Sequence, residues 1–255
     1  MTLTLPAGTL YAFLLVLARV GGFVAFLPVP GFRSAPDNAR IVLALAITFA
    51  LLPAWPVPPN QTPSIGDLTY WAFSEAGFGL ASGLAVSLLL EGFQLAAQIA
   101  GLQAGYGYAS TIDPNSEADS SVLQVIASLG SGLLFFTTGL DHQLIRVLAA
   151  SFIKFPAGAW APSAASMDGI VRLGGAMLST GLRLAFPVAA LLLLIDFALA
   201  LVSRIQQQLQ LTSLAFPGKM AASLILLAAL APVVPRIFAG EAERTLAALW
   251  RSLGG

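Results

Sequence analysis

The sequence predicts an all-α, membrane-associated chain of long kinked helical hairpins, and three observations carry that prediction. Of the 255 residues, 57% are hydrophobic and only 9% charged, with a mean hydropathy of +0.85; an ordinary soluble domain holds roughly 25% charged residues. The apolar residues come in runs far longer than strands, divided by clusters of proline and glycine. One such run, Asp67 to Ala104, is too long for a simple span. At a rise of about 1.5 Å per residue it extends roughly 55 Å, against a hydrocarbon core about 30 Å thick. It must tilt, kink or project beyond the lipid.

The elements follow in order. Helix one covers Thr9 to Leu27 and stops at the turn-forming stretch Pro28 to Pro36, whose prolines cannot sit in a helix interior. It lacks the basic start and the small-residue cleavage site of a signal peptide, so it reads as a retained helix. Helix two runs from Asp37 to Leu52, and an uncharged proline-rich connector, Pro53 to Pro63, leads to the long helix. A glycine-rich acidic loop, Gly105 to Ser121, comes next. Val122 to Phe155 is helical with an interruption near Gly139 and His142, and a loop from Pro156 to Ser166 precedes a second long helix, Asp168 to Gln208. Pro187 lies inside it and predicts a kink. The last apolar helix spans Pro217 to Leu230, followed by an amphipathic tail from Glu241 to Leu253. Arg33, Arg40, Arg204 and Lys219 mark the first and last connectors, which the positive-inside tendency assigns to the cytoplasm with the amino terminus outside.

Composition excludes several classes. Twelve basic residues balance twelve acidic ones, so no field gathers nucleic acid. Without cysteine there is no disulfide frame, thiol nucleophile or thiolate metal site. A single histidine, His142, offers no recognisable metal spacing and no G-x-S-x-G turn accompanies it; Asp141 beside it is expected to point elsewhere, since sequence neighbours on a helix do not share a face. The reading is a non-enzyme without cofactor.

What remains is polar patterning. Along the first long helix Glu75, Gly79, Gly83, Ser87, Glu91, Gln94, Gln98 and Gly101 recur at steps of three or four and share one face, with Gly105 continuing the series. Arg172, Gly175, Ser179 and Arg183 form a second stripe. Arg19, Glu75, Glu91, Arg172, Arg183 and Asp196 lie within apolar stretches, where each is costly unless paired or facing water. Extended mixed stripes fit a subunit interface or conduit lining better than a compact ion site, while Gly79 with Gly83 also forms a small-xxx-small pair that admits a neighbouring backbone. The competing function is a self-contained ion-coupled transporter or channel using Glu75, Glu91 and Asp196, although the two related halves common in transporters are absent. Gly105, Tyr106, Gly107 and Tyr108 resemble a potassium-channel filter only weakly, because Gln103 and Ala104 stand where Thr-Val belongs. A gating or plugging loop, with a turn at Asp113, Pro114 and Asn115, fits better. Phe135 and Phe136 read as core or lipid-facing residues.

Several segments together resemble one family. RVGGFVAFLPVPGFRSAPDNARIVLALAITFALLP from Arg19, EAGFGLASGLAVSLLLEGFQLAAQIAG from Glu75, the Asp113-Pro114 pair, GLDHQLIRVLAASFIKFPAG from Gly139, FPVAALLLLIDFALALVSR from Phe186 and FPGK from Phe216 resemble, in order and spacing, the FliR family of type III secretion export-gate subunits. The chain departs from the family after Arg204, where Gln207, Gln208, Leu209 and Gln210 replace a Pro-Gln-x-Asn run, and at the usual Gly-His pair, which reads Gly139, Leu140, Asp141, His142. The resemblance implies a subunit of a hetero-oligomeric gate with FliP-like and FliQ-like subunits and an FlhB-like switch protein, passing unfolded export substrates. It implies a FliP-like part over residues 1–166 and a FliQ-like hairpin with its tail over 167–255, joined through a hairpin loop between Arg204 and Lys219. It places the gate in the bacterial inner membrane at the flagellar basal body, partly on the periplasmic side, with the 105–121 loop as its plug.

Overall fold

The computed structural model describes residues 7–27, 36–56, 63–106, 122–156, 158–205 and 211–254. They form eight α-helices: α1 (Ala7–Phe26), α2 (Asp37–Ala50), α3 (Ile65–Ala104), α4 (Val122–Thr137), α5 (Leu140–Lys154), α6 (Ala164–Ile205), α7 (Leu211–Leu230) and α8 (Val234–Gly254), with a single 3₁₀ turn at Leu52–Ala54. No strand occurs among the described residues. The predicted fold class holds. By length and composition α1, α3 and α6 are each able to cross a membrane, and the pairs α4 with α5 and α7 with α8 each qualify only as broken spans.

Helix starts depart from the sequence reading for a local reason. Both long helices begin before the aspartate that was expected to open them. At α3, Ser64 Oγ accepts the Asp67 N–H at 3.2 Å, and Asp67 Oδ2 accepts the Ser64 N–H at 3.2 Å; at α6, Ser163 and Ser166 exchange the same pair of bonds at 3.1 and 2.8 Å. These are reciprocal caps that satisfy otherwise orphaned N–H groups. The interruption near Gly139 is a break between α4 and α5 at a left-handed glycine, φ +68°.

Three further expectations are corrected. Lys219 and Arg204 were read as flanking a loop, yet Arg204 sits in the last turn of α6 and Lys219 lies within α7. Pro217 is favoured at a helix start, but α7 already begins at Leu211 and carries Pro217 in its interior. His142 Nδ1 lies 3.1 Å from Asp141 Oδ1 although their Cα–Cβ bonds diverge; the His142 side chain is 78% exposed, so its ring can turn back over its neighbour.

The chain divides into two compact units that interleave in sequence. The first comprises Met1–Leu89, Phe135–Gly174 and Ala242–Gly255; the second comprises Leu90–Leu134 and Gly175–Glu241. In the first unit Phe78, Ala81, Ala85, Trp160, Leu173 and Leu249 form a buried core, with Trp160 edge-on to Phe78 at 5.9 Å. In the second, Ala100 and Ala104 of α3 pack with Val188 and Leu192 of α6, covered by Ala222, Leu226 and Leu230 of α7.

Candidate functional site

The first unit is built around a buried charge. Arg19 and Glu75 are both 0% exposed and form an ion pair through Arg19 Nε and Glu75 Oε2. Arg19 Nη2 donates to Glu75 Oε1 and to the Phe155 carbonyl, each at 3.0 Å, and Nη1 donates to Ser151 Oγ at 2.8 Å. Glu75 Oε1 also accepts the Gly158 N–H at 2.9 Å. The guanidinium lies over two rings, 4.5 Å from the centre of Phe78 and 4.2 Å from that of Phe152. Helices α1, α3 and α5 and the connector after α5 therefore meet at one arginine. A buried pair survives desolvation only when its remaining hydrogen-bonding capacity is filled, and four of the five guanidinium N–H groups have partners.

The approach of α1 to α3 that makes this pair possible depends on glycine. A Cβ on Gly79 meets the Arg19 carbonyl oxygen and falls 2.8 Å from the Phe23 nitrogen; one on Gly83 falls on the Phe23 carbonyl; one on Gly22 falls on the Ala76 carbonyl, 3.0 Å from the Leu80 nitrogen. Three glycines thus remove side chains from the contact, as a small-xxx-small face does. Glu75, Gly79 and Gly83 of the predicted stripe accordingly pack against α1 of the same chain.

The second unit holds the root of the predicted loop. Gly105 has φ +89°, which favours glycine, and a Cβ there falls 2.8 Å from the Phe216 ring. The Tyr106 hydroxyl donates to the Met220 carbonyl at 3.2 Å. One turn before, Gln103 Nε2 donates to Asp196 Oδ2 at 3.4 Å, and that carboxylate holds Lys219 Nζ at 2.9 Å. Lys219 is only 12% exposed and Asp196 42%. The chain therefore leaves α3 pinned to α6 and α7. Gly107, Tyr108, Asp113 and Pro114 lie outside the described residues.

The other expected residues are dispersed. Gln94 is buried, Glu91 half-buried and Gln98 exposed. Arg172 is exposed and paired with Asp168, one turn earlier on α6, at 2.8 Å; Arg183 and Arg204 are exposed. Phe135 is buried and meets exposed Phe136 edge-on at 5.2 Å. Among the described residues no three His, Asp or Glu side chains gather as a metal ion requires. Sequence reasoning noted Arg19 and Glu75 as costly charges but did not pair them; the available signal was that two opposite charges stand in two apolar helices, α1 and α3. It missed Ser151, Phe152 and Gly158 altogether, whose types carry no such signal.

The family described as bacterial export proteins, family 1, matches residues 10–245 of this chain. Flagellar biosynthetic protein FliR of Escherichia coli (strain K12) is 31% identical to it, over 86% of this chain and 83% of that protein. The chain belongs to the FliR family of bacterial export proteins. FliR of Bacillus subtilis (strain 168) is 28% identical over 85% of this chain and 84% of its own. Yop proteins translocation protein T of Yersinia pestis is a more partial relative, 26% identical over 64% of this chain and 56% of that protein. The match to the export-protein family takes in both the Arg19–Glu75 centre and the root of the loop.

Proposed function

We propose that this chain is a non-enzymatic subunit of the flagellar type III secretion export gate, helping to form and plug the conduit for unfolded flagellar proteins. Its FliR relatives carry flagellar biosynthesis in their names, and the Yersinia relative carries protein translocation. The observation that carries the assembly reading is α6. Only 17% of its most apolar window is buried, and large apolar residues stand exposed from Met167 to Ile205, a distance of roughly 57 Å at the helical rise. Lipid covers about 30 Å of that. Protein must cover the rest, which supports a hetero-oligomer with FliP-like and FliQ-like subunits and an FlhB-like switch protein, seated in the inner membrane of the basal body and reaching toward the periplasm. Residues 1–166 form the FliP-like part and 167–255 the FliQ-like part of this proposal.

The competing ion-coupled transporter is less supported. Two of the three acids it needs are held by cations, Glu75 by Arg19 and Asp196 by Lys219. A relay needs acids free to exchange protons.

Deleting the gene tests the function. Export of hook and filament proteins is expected to stop, and normal export in the deletion strain defeats the proposal. The plug is tested separately by removing Tyr106 to Ser116, which takes away the loop and its bond to Met220. The complex is then expected to assemble but pass small ions and solutes, measured as salt- or solute-sensitive growth; unchanged permeability in assembled complexes rules out a plug here.

A further inference from the structure

We propose that the Arg183 face of α6 receives, from a sister subunit, an apolar helix carrying a carboxylate. The inference rests on the hetero-oligomer reading above and adds the chemistry of the contact. Within the body of α6, Arg172 is answered by Asp168 and Asp196 by Lys219, while Arg204 stands exposed in the last turn. Arg183 is exposed and has no hydrogen bond or ion pair among the described residues. Four residues on, Pro187 supplies no N–H to the Arg183 carbonyl. One spot on an apolar helix thus presents a guanidinium fork without a partner among the described residues, beside a carbonyl that lacks its ordinary i+4 donor.

The surroundings select the partner. Leu178 and Leu182 before Arg183, and Phe186 and Leu194 after it, are all exposed. Apolar surface continues on both sides of the charge, so Arg183 does not mark an edge between hydrocarbon and water. A lipid phosphate at Arg183 leaves Leu178 and Leu182 beyond the hydrocarbon, exposed to headgroups and water. A protein helix instead covers Phe186 and Leu194 beside Arg183 and places a carboxylate on the fork, the planar, bidentate pairing for which arginine is suited. Such a pair also fixes the register of the two helices, since a guanidinium left unpaired in an apolar contact is costly.

The test co-expresses the tagged chain with its FliP-like and FliQ-like subunits and purifies the complex in mild detergent. Arg183→Glu is expected to lower the recovered sister subunits at least ten-fold, Arg183→Lys to keep most of them, and reversal of one partner carboxylate to lysine to restore recovery with Arg183→Glu. The chain has no cysteine, so single cysteines at Leu182 or Phe186 are expected to crosslink to a cysteine flanking that same carboxylate; this second measurement stands even if a variant fails to accumulate. Undiminished recovery with Arg183→Glu, no restoring reversal, or absent crosslinks overturns the inference. So does loss of bound anionic phospholipid with every subunit retained, which identifies a headgroup contact. If the unaltered chain captures neither sister subunit, the hetero-oligomer reading itself fails and takes this contact with it.

Discussion

Arg19→Met is expected to destabilise the first unit by about 3–5 kcal/mol, the usual cost of removing one partner from a buried ion pair. The substitution leaves the Glu75 carboxylate fully buried with only the Gly158 N–H among its bonds, and it strips a donor from Ser151 and from the Phe155 carbonyl. It also removes the cation from the faces of Phe78 and Phe152, an arrangement worth about 2 kcal/mol when desolvated. The measurement is the unfolding midpoint of the detergent-purified chain, with its steady-state level in membranes as a second reading. Arg19→Met combined with Glu75→Met is expected to recover much of the loss, because replacing both members of a buried pair by apolar residues of similar size is often neutral. A single variant as stable as the parent would show that this pair does not hold α1, α3 and α5 together.

Gly79→Ala is expected to destabilise the chain by about 1–3 kcal/mol, the range for overpacking a filled interior. Helix propensity alone predicts the opposite, since alanine is favoured over glycine by about 1 kcal/mol within a helix. The sign is decided by what the new methyl meets. At Gly79 it falls on the backbone of Arg19 and Phe23, which moves only if α1 moves away and stretches the Arg19–Glu75 pair. Gly21 is the control: it sits on α1 with nothing within 4 Å of an added Cβ, so Gly21→Ala should be neutral or stabilising. Unfolding midpoints of the two variants measured side by side decide the matter, and equal effects would refute a tight α1–α3 contact.

Much of this architecture is legible in one dimension. Helix existence follows from apolar runs and proline-glycine punctuation, and every predicted helix exists near its expected place. Boundaries were less legible because they depend on particular side-chain bonds. The serines at 64 and 163 cap α3 and α6 through bonds to the residues three positions on, so both helices open before the aspartates at 67 and 168. Pro217 misled in the same way: a rule about where proline is comfortable does not forbid it where neighbouring helices hold the segment in place.

The polar stripe of α3 shows the deeper division. Its periodicity states that Glu75, Gly79, Gly83, Glu91, Gln94 and Gln98 share a face, but not what that face meets. In the fold its first third meets α1 of the same chain, with Glu75 on Arg19 and both glycines against the α1 backbone. A helix of 40 residues passes through more than one environment, so one stripe serves more than one purpose.

The sequence by itself determined the class of this protein: an all-helical membrane chain of the FliR export family, with its breaks, its overlong helices and a polar loop between two of them. Those properties are local, set by composition, helical period and ordered motifs along the chain. Only the tertiary structure decided which charges are spent inside the molecule and which remain. Arg19 finds Glu75 across 56 residues and Lys219 finds Asp196 across 23, whereas Arg183 remains exposed on an apolar helix. Pairing is a matter of distance in space, and no spacing in the chain encodes it.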